Sequence, residues 1–248
     1  MSASPARTAD RDRMSESNAA PESGGGSDGP ACSGSRTCED AGLRRVELGL
    51  VAATAGVFLL LPKPPGAALP MAVFIPACVI GWTLWLAIRL RRDPSLADRW
   101  GLRPLVHLRP ILRWLLPPAV VLFFAGAAVA LRLDRPLVPE LLWLSLLLYP
   151  IWGLIQQWLV QALLVDNIRA LTGASLPWLL VLGGVGFGAV HVEHPLLVLA
   201  TGVMGAFYVA LFQRWRNLWP LAVAHGWLGS LFYPWILGHN PLAEMLGW

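Results

Sequence analysis

Seven apolar segments follow one another along most of this chain, separated by short polar stretches. Each is close to the roughly 20 residues that an α-helix needs to cross about 30 Å of hydrocarbon. Apolar residues make up 56% of the 248 positions and charged residues only 14%, which excludes an ordinary soluble domain. The sequence therefore predicts an all-α fold, a polytopic membrane bundle of about seven transmembrane helices. The predicted spans are 46–61, 69–90, 112–133, 141–165, 176–190, 196–212 and 218–237.

The first 42 residues differ from the rest in composition. They are rich in Ser, Gly, Ala, Pro and Asp and have too few large apolar residues to form a core. We expect a disordered cytoplasmic tail over 1–42 and a transmembrane domain over 43–248. The first apolar segment begins only after Arg44 and Arg45, too far along for a signal peptide, so we expect it to remain as an anchor.

Basic residues between the spans predict the orientation in the membrane. The loops assigned to one side contain Arg89, Arg91, Arg92, Arg99, Arg103, Arg109, Arg113, Arg169, Arg214 and Arg216, and those assigned to the other side contain Lys63, Arg132 and Arg135. Because basic loops stay in the cytoplasm, the N-terminus should be cytoplasmic and the C-terminus external, in what we expect to be a bacterial inner (plasma) membrane. The basic residues of these loops then indicate the lipid bilayer as the partner, and not nucleic acid.

Three groups of residues indicate how the spans are placed and packed. Tryptophans near span ends are expected to anchor helices at the membrane interface: Trp100, Trp143, Trp178, Trp215, Trp219 and Trp235. Glycines in the fifth and sixth spans are expected to allow close helix packing: Gly183, Gly184, Gly186, Gly188, Gly202 and Gly205. Asp166 and Arg169 are expected to form a solvated cytoplasmic helix end.

Polar side chains inside three of the spans predict a buried site. Gln156, Gln157 and Gln161 lie in the fourth span, His191 closes the fifth, and His225 lies in the seventh. Polar groups at membrane depth are costly and usually mark a site. One cavity assembled from several helices would bring these side chains together.

The depth of these residues can be counted along the helices. Gln157 and His191 both lie roughly 22 to 27 Å from the turn at 172–173, at about 1.5 Å per residue, so they should be at similar heights. His225 is nine residues beyond Arg216, or roughly 13 Å from the same membrane face, and should lie deeper towards the cytoplasm.

The spacing of these residues resembles the CAAX protease and bacteriocin-processing (CPBP) family, the type II CAAX prenyl endopeptidases. That family has the motifs E-E-x-x-x-R, F-x-x-x-H and H-x-x-x-N, or a variant of the last, on successive helices, and the resemblance covers about residues 75–236. Phe187 and His191 match the second motif, and His225 matches the first position of the third. The chain departs from the family pattern at four positions, where it has Gln156 and Gln157 for the glutamates, Gln161 for the arginine and Gly229 for the asparagine.

The resemblance implies a role for each of these positions. In the family, a glutamate and a histidine activate water for attack on a peptide bond, while histidine and asparagine stabilise the oxyanion. It therefore implies catalytic positions at Gln156, Gln157, His191 and His225, and substrate-binding positions at Gln161, Phe187 and Gly229. A glutamine accepts a hydrogen bond but takes no proton near neutral pH, and a general base supplies about 10² to 10⁴ in rate. Catalysis should therefore be much weaker than in a relative with glutamate.

Glu193 is a second candidate for the base, because it follows His191 by two residues in HVEHP. A solvated loop carboxylate at the outer interface is the simpler interpretation of this residue. A zinc site is not expected, because HVEH is not H-E-x-x-H and Cys32, Cys38 and Cys78 make no metal spacing. We therefore expect no metal and no cofactor.

Two functions from different classes remain open. The first is an intramembrane endopeptidase of the CPBP family, a hydrolase of the CAAX prenyl protease type with impaired catalysis, acting on membrane-anchored peptides or proteins. The second is a non-catalytic pseudoprotease that binds a membrane peptide, a lipid or a partner protein. A transporter is not favoured, because the sequence has no evident repeat and no paired charges along a pathway.

Overall fold

The computed structural model describes residues 35–61, 68–192, 194–240 and 242, and the regular structure in these ranges is helical. The first four helices are α1 (Ser35–Leu60), α2 (Ala68–Arg92), the short α3 (Leu96–Arg99) and α4 (Leu108–Arg132). A long helical stretch follows, made of α5 (Leu142–Gln157), a π-helical segment (Trp158–Val165) and α6 (Asp166–Thr172). The remaining elements are α7 (Leu176–Ala189), α8 (Pro195–Trp215), α9 (Trp219–Phe232) and a second π-helical segment (Tyr233–Leu237). The all-α prediction is confirmed for the described residues.

Each of the seven predicted segments coincides with a helix, but the helices differ in how well they suit a membrane. Within the part of the chain that the structure describes, four are long and apolar enough to cross one: Val73–Arg92, Leu108–Arg132, Leu142–Thr172 and Pro195–Trp215. The apolar α7 has only 14 residues. The chain is thus an integral membrane protein, while the count of seven spans stays a prediction.

The predicted tail over 1–42 falls mostly on residues 1–34, which lie outside the described residues. Its last part is helical, because α1 begins at Ser35. The start of the first helix is therefore earlier than the apolar pattern indicates. The polar residues from Ser35 onwards already form the first turns of this helix, ahead of the apolar segment.

Two of the six tryptophans are not interfacial anchors. Trp100 is 1% exposed and packs edge-on against Trp158, with ring centroids 5.3 Å apart, and Trp235 is also buried. The segment between α2 and α4 packs against the bundle, so Trp100 becomes part of the core. In contrast, Trp143 and Trp178 are largely exposed, as expected of side chains that face lipid.

The glycines of α7 and α8 allow these two helices to pack backbone to backbone. A Cβ added at Gly205 would lie 2.7 Å from the carbonyl oxygen of Gly183, and one added at Gly184 would lie 2.9 Å from that of Gly202. The prediction of close packing is therefore confirmed, since any larger residue would separate the helices.

Four arginines gather at one end of the bundle, which we call the arginine-rich end: Arg44, Arg99, Arg169 and Arg216. Asp166 is buried there, forms an ion pair with Arg216 and accepts a hydrogen bond from Gln213 at 2.7 Å. The expectation of a solvated helix end is wrong for Asp166. The end of α8 folds over α6 and removes this carboxylate from solvent.

Candidate active site

The three glutamines lie where α5 passes into the first π-helical segment. Gln156 and Gln157 are the last two residues of α5, and Gln161 is inside the π-helical segment. Gln157 and Gln161 are buried, while Gln156 is half-buried. π-Helical turns often mark functional sites because they change the direction of the side chains that follow. The apolar pattern of the fourth span does not indicate this change.

Gln156 is the glutamine that contacts a histidine. Its side-chain oxygen Oε1 lies 2.9 Å from Nε2 of His225 on α9. An amide oxygen only accepts, so Nε2 must donate, and a neutral His225 ring then has its lone pair at Nδ1. Nδ1 is buried, and no described residue is hydrogen-bonded to it.

His191 has the opposite tautomer. It lies just beyond the end of α7, and its Nδ1 is 2.8 Å from the backbone oxygen of Phe187. A carbonyl oxygen only accepts, so Nδ1 donates and the neutral ring has its lone pair at Nε2. One of the unpaired carbonyls at the end of α7 therefore orients the imidazole.

Phe187 brings the two histidines to one place. Its ring centroid is 5.5 Å from that of His191 and 5.1 Å from that of His225, with edge-on geometry in both cases. α7 and α9 therefore come together at the two histidines. Phe187 itself is 1% exposed, whereas both histidines are half-buried.

Glycines on α5 and α9 position His225 against Gln156. A Cβ at Gly153 would lie 2.8 Å from the backbone oxygen of Ala222 and 3.1 Å from the ring of His225. A Cβ at Gly226 would lie 2.5 Å from the backbone nitrogen of Pro150. The two helices therefore touch through their backbones, which leaves no room for a side chain between Gln156 and His225.

The other two glutamines bind each other. Nε2 of Gln161 donates to Oε1 of Gln157 at 3.2 Å, because a spacing of four residues places the two side chains on one helix face. Oε1 of Gln161 is buried, and no described residue donates to it. The pair contributes two amides without net charge to the interior of the bundle.

At Gly229, the third motif has no side chain that could act as a donor. A Cβ at this position would lie 3.8 Å from Cδ1 of Tyr149 on α5, so a tyrosine ring borders the place of the family's asparagine. Tyr149 is not among the residues that the sequence predicts for the site. Its spacing of seven residues from Gln156, two helical turns, is a signal that could have indicated it.

The prediction that His225 lies deeper towards the arginine-rich end is wrong. His225 lies at the level of Gln156, because its Nε2 is 2.9 Å from Oε1 of that residue. The ion pair between Asp166 and Arg216 links the same two stretches of chain nearer the arginine-rich end. Gln157 lies nine positions before Asp166, and His225 lies nine positions after Arg216.

A second polar cluster was also missed, and it lies near the arginine-rich end. Glu47 of α1 is 1% exposed, forms an ion pair with Arg89 at 3.0 Å and accepts a hydrogen bond from Asn167 at 2.8 Å. Arg44 donates to the other side of Asn167 at 2.9 Å. An acidic residue at the start of a predicted span is the sequence signal for this cluster.

Glu193, the second candidate base, lies outside the described residues. Within 35–61, 68–192, 194–240 and 242, no three His, Cys, Asp or Glu side chains group together as metal ligands would.

Two histidines, one of them bonded to Gln156, lie among apolar helices, and four helices of the described part are long and apolar enough to cross a membrane, so the chain is an integral membrane protein with a polar site between helices. Residues 138–231 match the family model described as Type II CAAX prenyl endopeptidase Rce1-like. This stretch runs from before α5 into α9 and contains the positions of all three motifs, and over it the chain is similar to that family of proteases. The resemblance inferred from the motifs is confirmed. No curated protein and no solved structure matches the chain.

Proposed function

We propose that this protein binds a membrane-anchored peptide between α5, α7 and α9 and hydrolyses it slowly, as a weakened endopeptidase of the CAAX prenyl type. The observation that supports this most is the meeting of His191 and His225 on the ring of Phe187, with Gln156 bonded to His225. Chemistry of this type needs a base and a hydrogen-bond donor near one peptide bond.

His191 is the proposed base. Its Nε2 lone pair takes a proton from water as the water oxygen attacks the peptide carbonyl carbon. The imidazolium then returns the proton to the nitrogen of the departing amine as the C–N bond breaks. The products are a shortened peptide with a new carboxyl end and a released C-terminal fragment.

Gln156 is the proposed donor to the carbonyl oxygen. Because its Oε1 accepts from His225, its NH₂ group remains to donate to a second acceptor. A glutamate in this position lacks N–H groups and could not do so. The substitution of Gln for Glu thus removes a base and adds a donor, which favours peptide binding over turnover.

The proposed setting is a bacterial inner membrane, with the N-terminus and the arginine-rich end in the cytoplasm. The excess of arginine in the loops on that side supports this orientation. The peptide substrate would be held in the membrane by its own lipid or apolar anchor.

Purified protein in nanodiscs, given a panel of farnesylated peptides, tests the proposal. Binding is followed by fluorescence anisotropy of a labelled peptide, and cleavage by mass spectrometry of the fragments. The variants are His191→Asn and, as a matched control, His107→Asn in an exposed loop. We expect His191→Asn to lower turnover at least about 10²-fold while the control stays at the wild-type rate.

The possible results separate the two functions. Stable peptide capture without hydrolysis between about pH 5 and 9 would contradict the proposed chemistry and leave a non-catalytic peptide-binding protein. A wild-type protein that neither captures nor cleaves any peptide of the panel would overturn both functions.

A further inference from the structure

A cavity of about 330 Å³ opens at the arginine-rich end, away from the histidine site. It lies between α1, α3, α6 and the residue that follows α8. Its lining consists of Arg44, Arg99, Asp166, Arg169, Ala170 and Arg216. A volume of this size lies within the range of small-ligand pockets, about 300 to 1,000 Å³.

The cavity has a large excess of positive charge. Four guanidinium groups and one carboxylate line it, so three positive charges are in excess. Asp166 neutralises Arg216, whereas Arg44 and Arg169 donate to the neutral amides of Asn167 and Gln213. These amides satisfy hydrogen bonds but leave the charge uncompensated.

Arg99 is the residue that most needs an anion. It is half-buried, and none of the residues that the structure describes accepts a hydrogen bond from its guanidinium. Burial, followed by the positive charge of Arg44, lowers the pKa of Arg99 from its ordinary value. A bound anion would offset the free-energy cost of burying this guanidinium and of its repulsion by Arg44.

Membrane topology explains only part of this arrangement. Arg169 lies in the last turn of α6 and Arg216 directly follows α8, where cations interact favourably with the helix dipole. Arg44 lies inside α1 and Arg99 at the end of the four-residue α3, yet both line the same cavity. A topological signal requires positive charge on one side of the membrane but does not require four arginines around one space.

We propose that this cavity binds a phosphate group. Arginine presents planar pairs of N–H donors that match phosphate oxygens, and several arginines around one space are typical of phosphate recognition. The phosphate can belong to an anionic phospholipid headgroup or to a small soluble phosphate. The lipid source fits the position of the cavity at the ends of two candidate membrane spans, Leu142–Thr172 and Pro195–Trp215.

Native mass spectrometry of the detergent-purified full chain separates these sources. The probes are dioctanoyl phosphatidylglycerol, dioctanoyl phosphatidylcholine and inorganic phosphate, each titrated alone, followed by phosphate in competition with phosphatidylglycerol. Saturable binding of phosphatidylglycerol in preference to phosphatidylcholine identifies a lipid site. Binding of inorganic phosphate alone, with displacement of the lipid, identifies a soluble phosphate ligand.

Two pairs of variants locate the binding. Arg99→Gln should weaken the affinity at least about tenfold, whereas Arg91→Gln, an exposed arginine at the end of α2, should not. If Arg99→Gln does not fold, Ala170→Glu introduces a negative charge into the lining without removing an arginine, and Ala170→Gln is its uncharged control. We expect the Glu variant to lose binding and the Gln variant to retain it.

The proposal is overturned if no probe binds saturably, or if Arg91→Gln weakens binding as much as Arg99→Gln does. Equal binding by Ala170→Glu and Ala170→Gln would also overturn it. None of these measurements depends on peptide hydrolysis, so a failure here leaves the histidine site unaffected.

Discussion

His225 donates its Nε2 hydrogen to the side-chain oxygen of Gln156 at 2.9 Å, and this contact determines which nitrogen of a neutral His225 is basic. Removing the acceptor should therefore change the tautomer. In Gln156→Met, we expect the ¹⁵N NMR spectrum of the labelled histidine rings to show loss of a single Nε2–H form at His225. Gln161→Met is the control, because Gln161 bonds only to Gln157 among the described residues. An unchanged His225 signal in Gln156→Met would contradict the hydrogen bond.

Restoring an acid to the site should increase hydrolysis. Gln157→Glu places a carboxylate in the position of the second family glutamate, next to the amide of Gln161. Since a general base contributes about 10² to 10⁴ in rate, we expect turnover of farnesylated peptide to rise at least about 10²-fold. The measurement is initial-rate kinetics with fragments detected by mass spectrometry. The double variant Gln157→Glu, His191→Asn should return to the low rate, and retention of the gain would show that His191 is not the base.

The backbone contact between α5 and α9 should tolerate no added methyl group. A Cβ at Gly226 would lie 2.5 Å from the nitrogen of Pro150, so Gly226→Ala should lower the free energy of unfolding by about 1 to 3 kcal/mol. The matched change Gly81→Ala on α2 meets nothing within 4 Å and should be neutral. Thermal unfolding in detergent measures both, and equal melting temperatures would contradict the close packing.

The buried carboxylate of Glu47 should contribute far more to stability than an exposed one. Glu47→Ala leaves Arg89 and Asn167 without their acceptor, and breaking a buried pair costs about 3 to 5 kcal/mol. In the control, Asp98→Ala breaks an ion pair with Arg103 in which both side chains are more than half exposed, for which we expect less than about 1 kcal/mol. Unfolding free energies in detergent test the difference. Similar losses in the two variants would mean that Glu47 is solvated.

The proposed orientation can be tested by cysteine labelling from either side of the membrane. In a background without Cys32, Cys38 and Cys78, Ser95→Cys should react only from the cytoplasmic side and Val192→Cys only from outside. Both positions are exposed, so accessibility does not limit the reaction. Labelling of both from one side would rule out the seven-span arrangement.

The sequence by itself determined the helical class, the membrane location and the motif positions, because long apolar segments and residue spacings are local properties. The glycines of α7 and α8 also indicated close packing correctly. The spacing of Gln157 and Gln161 also places them on one face, since four residues make about one helical turn.

Only the tertiary structure decided which glutamine meets His225, because the answer depends on the contact of α5 with α9 at Gly153 and Gly226. It also decided the depth of His225 and the burial of Trp100 and Asp166. Each of these follows from segments far apart in the chain, such as the pairing of Asp166 with Arg216. Hydropathy along one segment contains no information about which distant residue will remove a side chain from water, since that free energy arises only when the two surfaces pack.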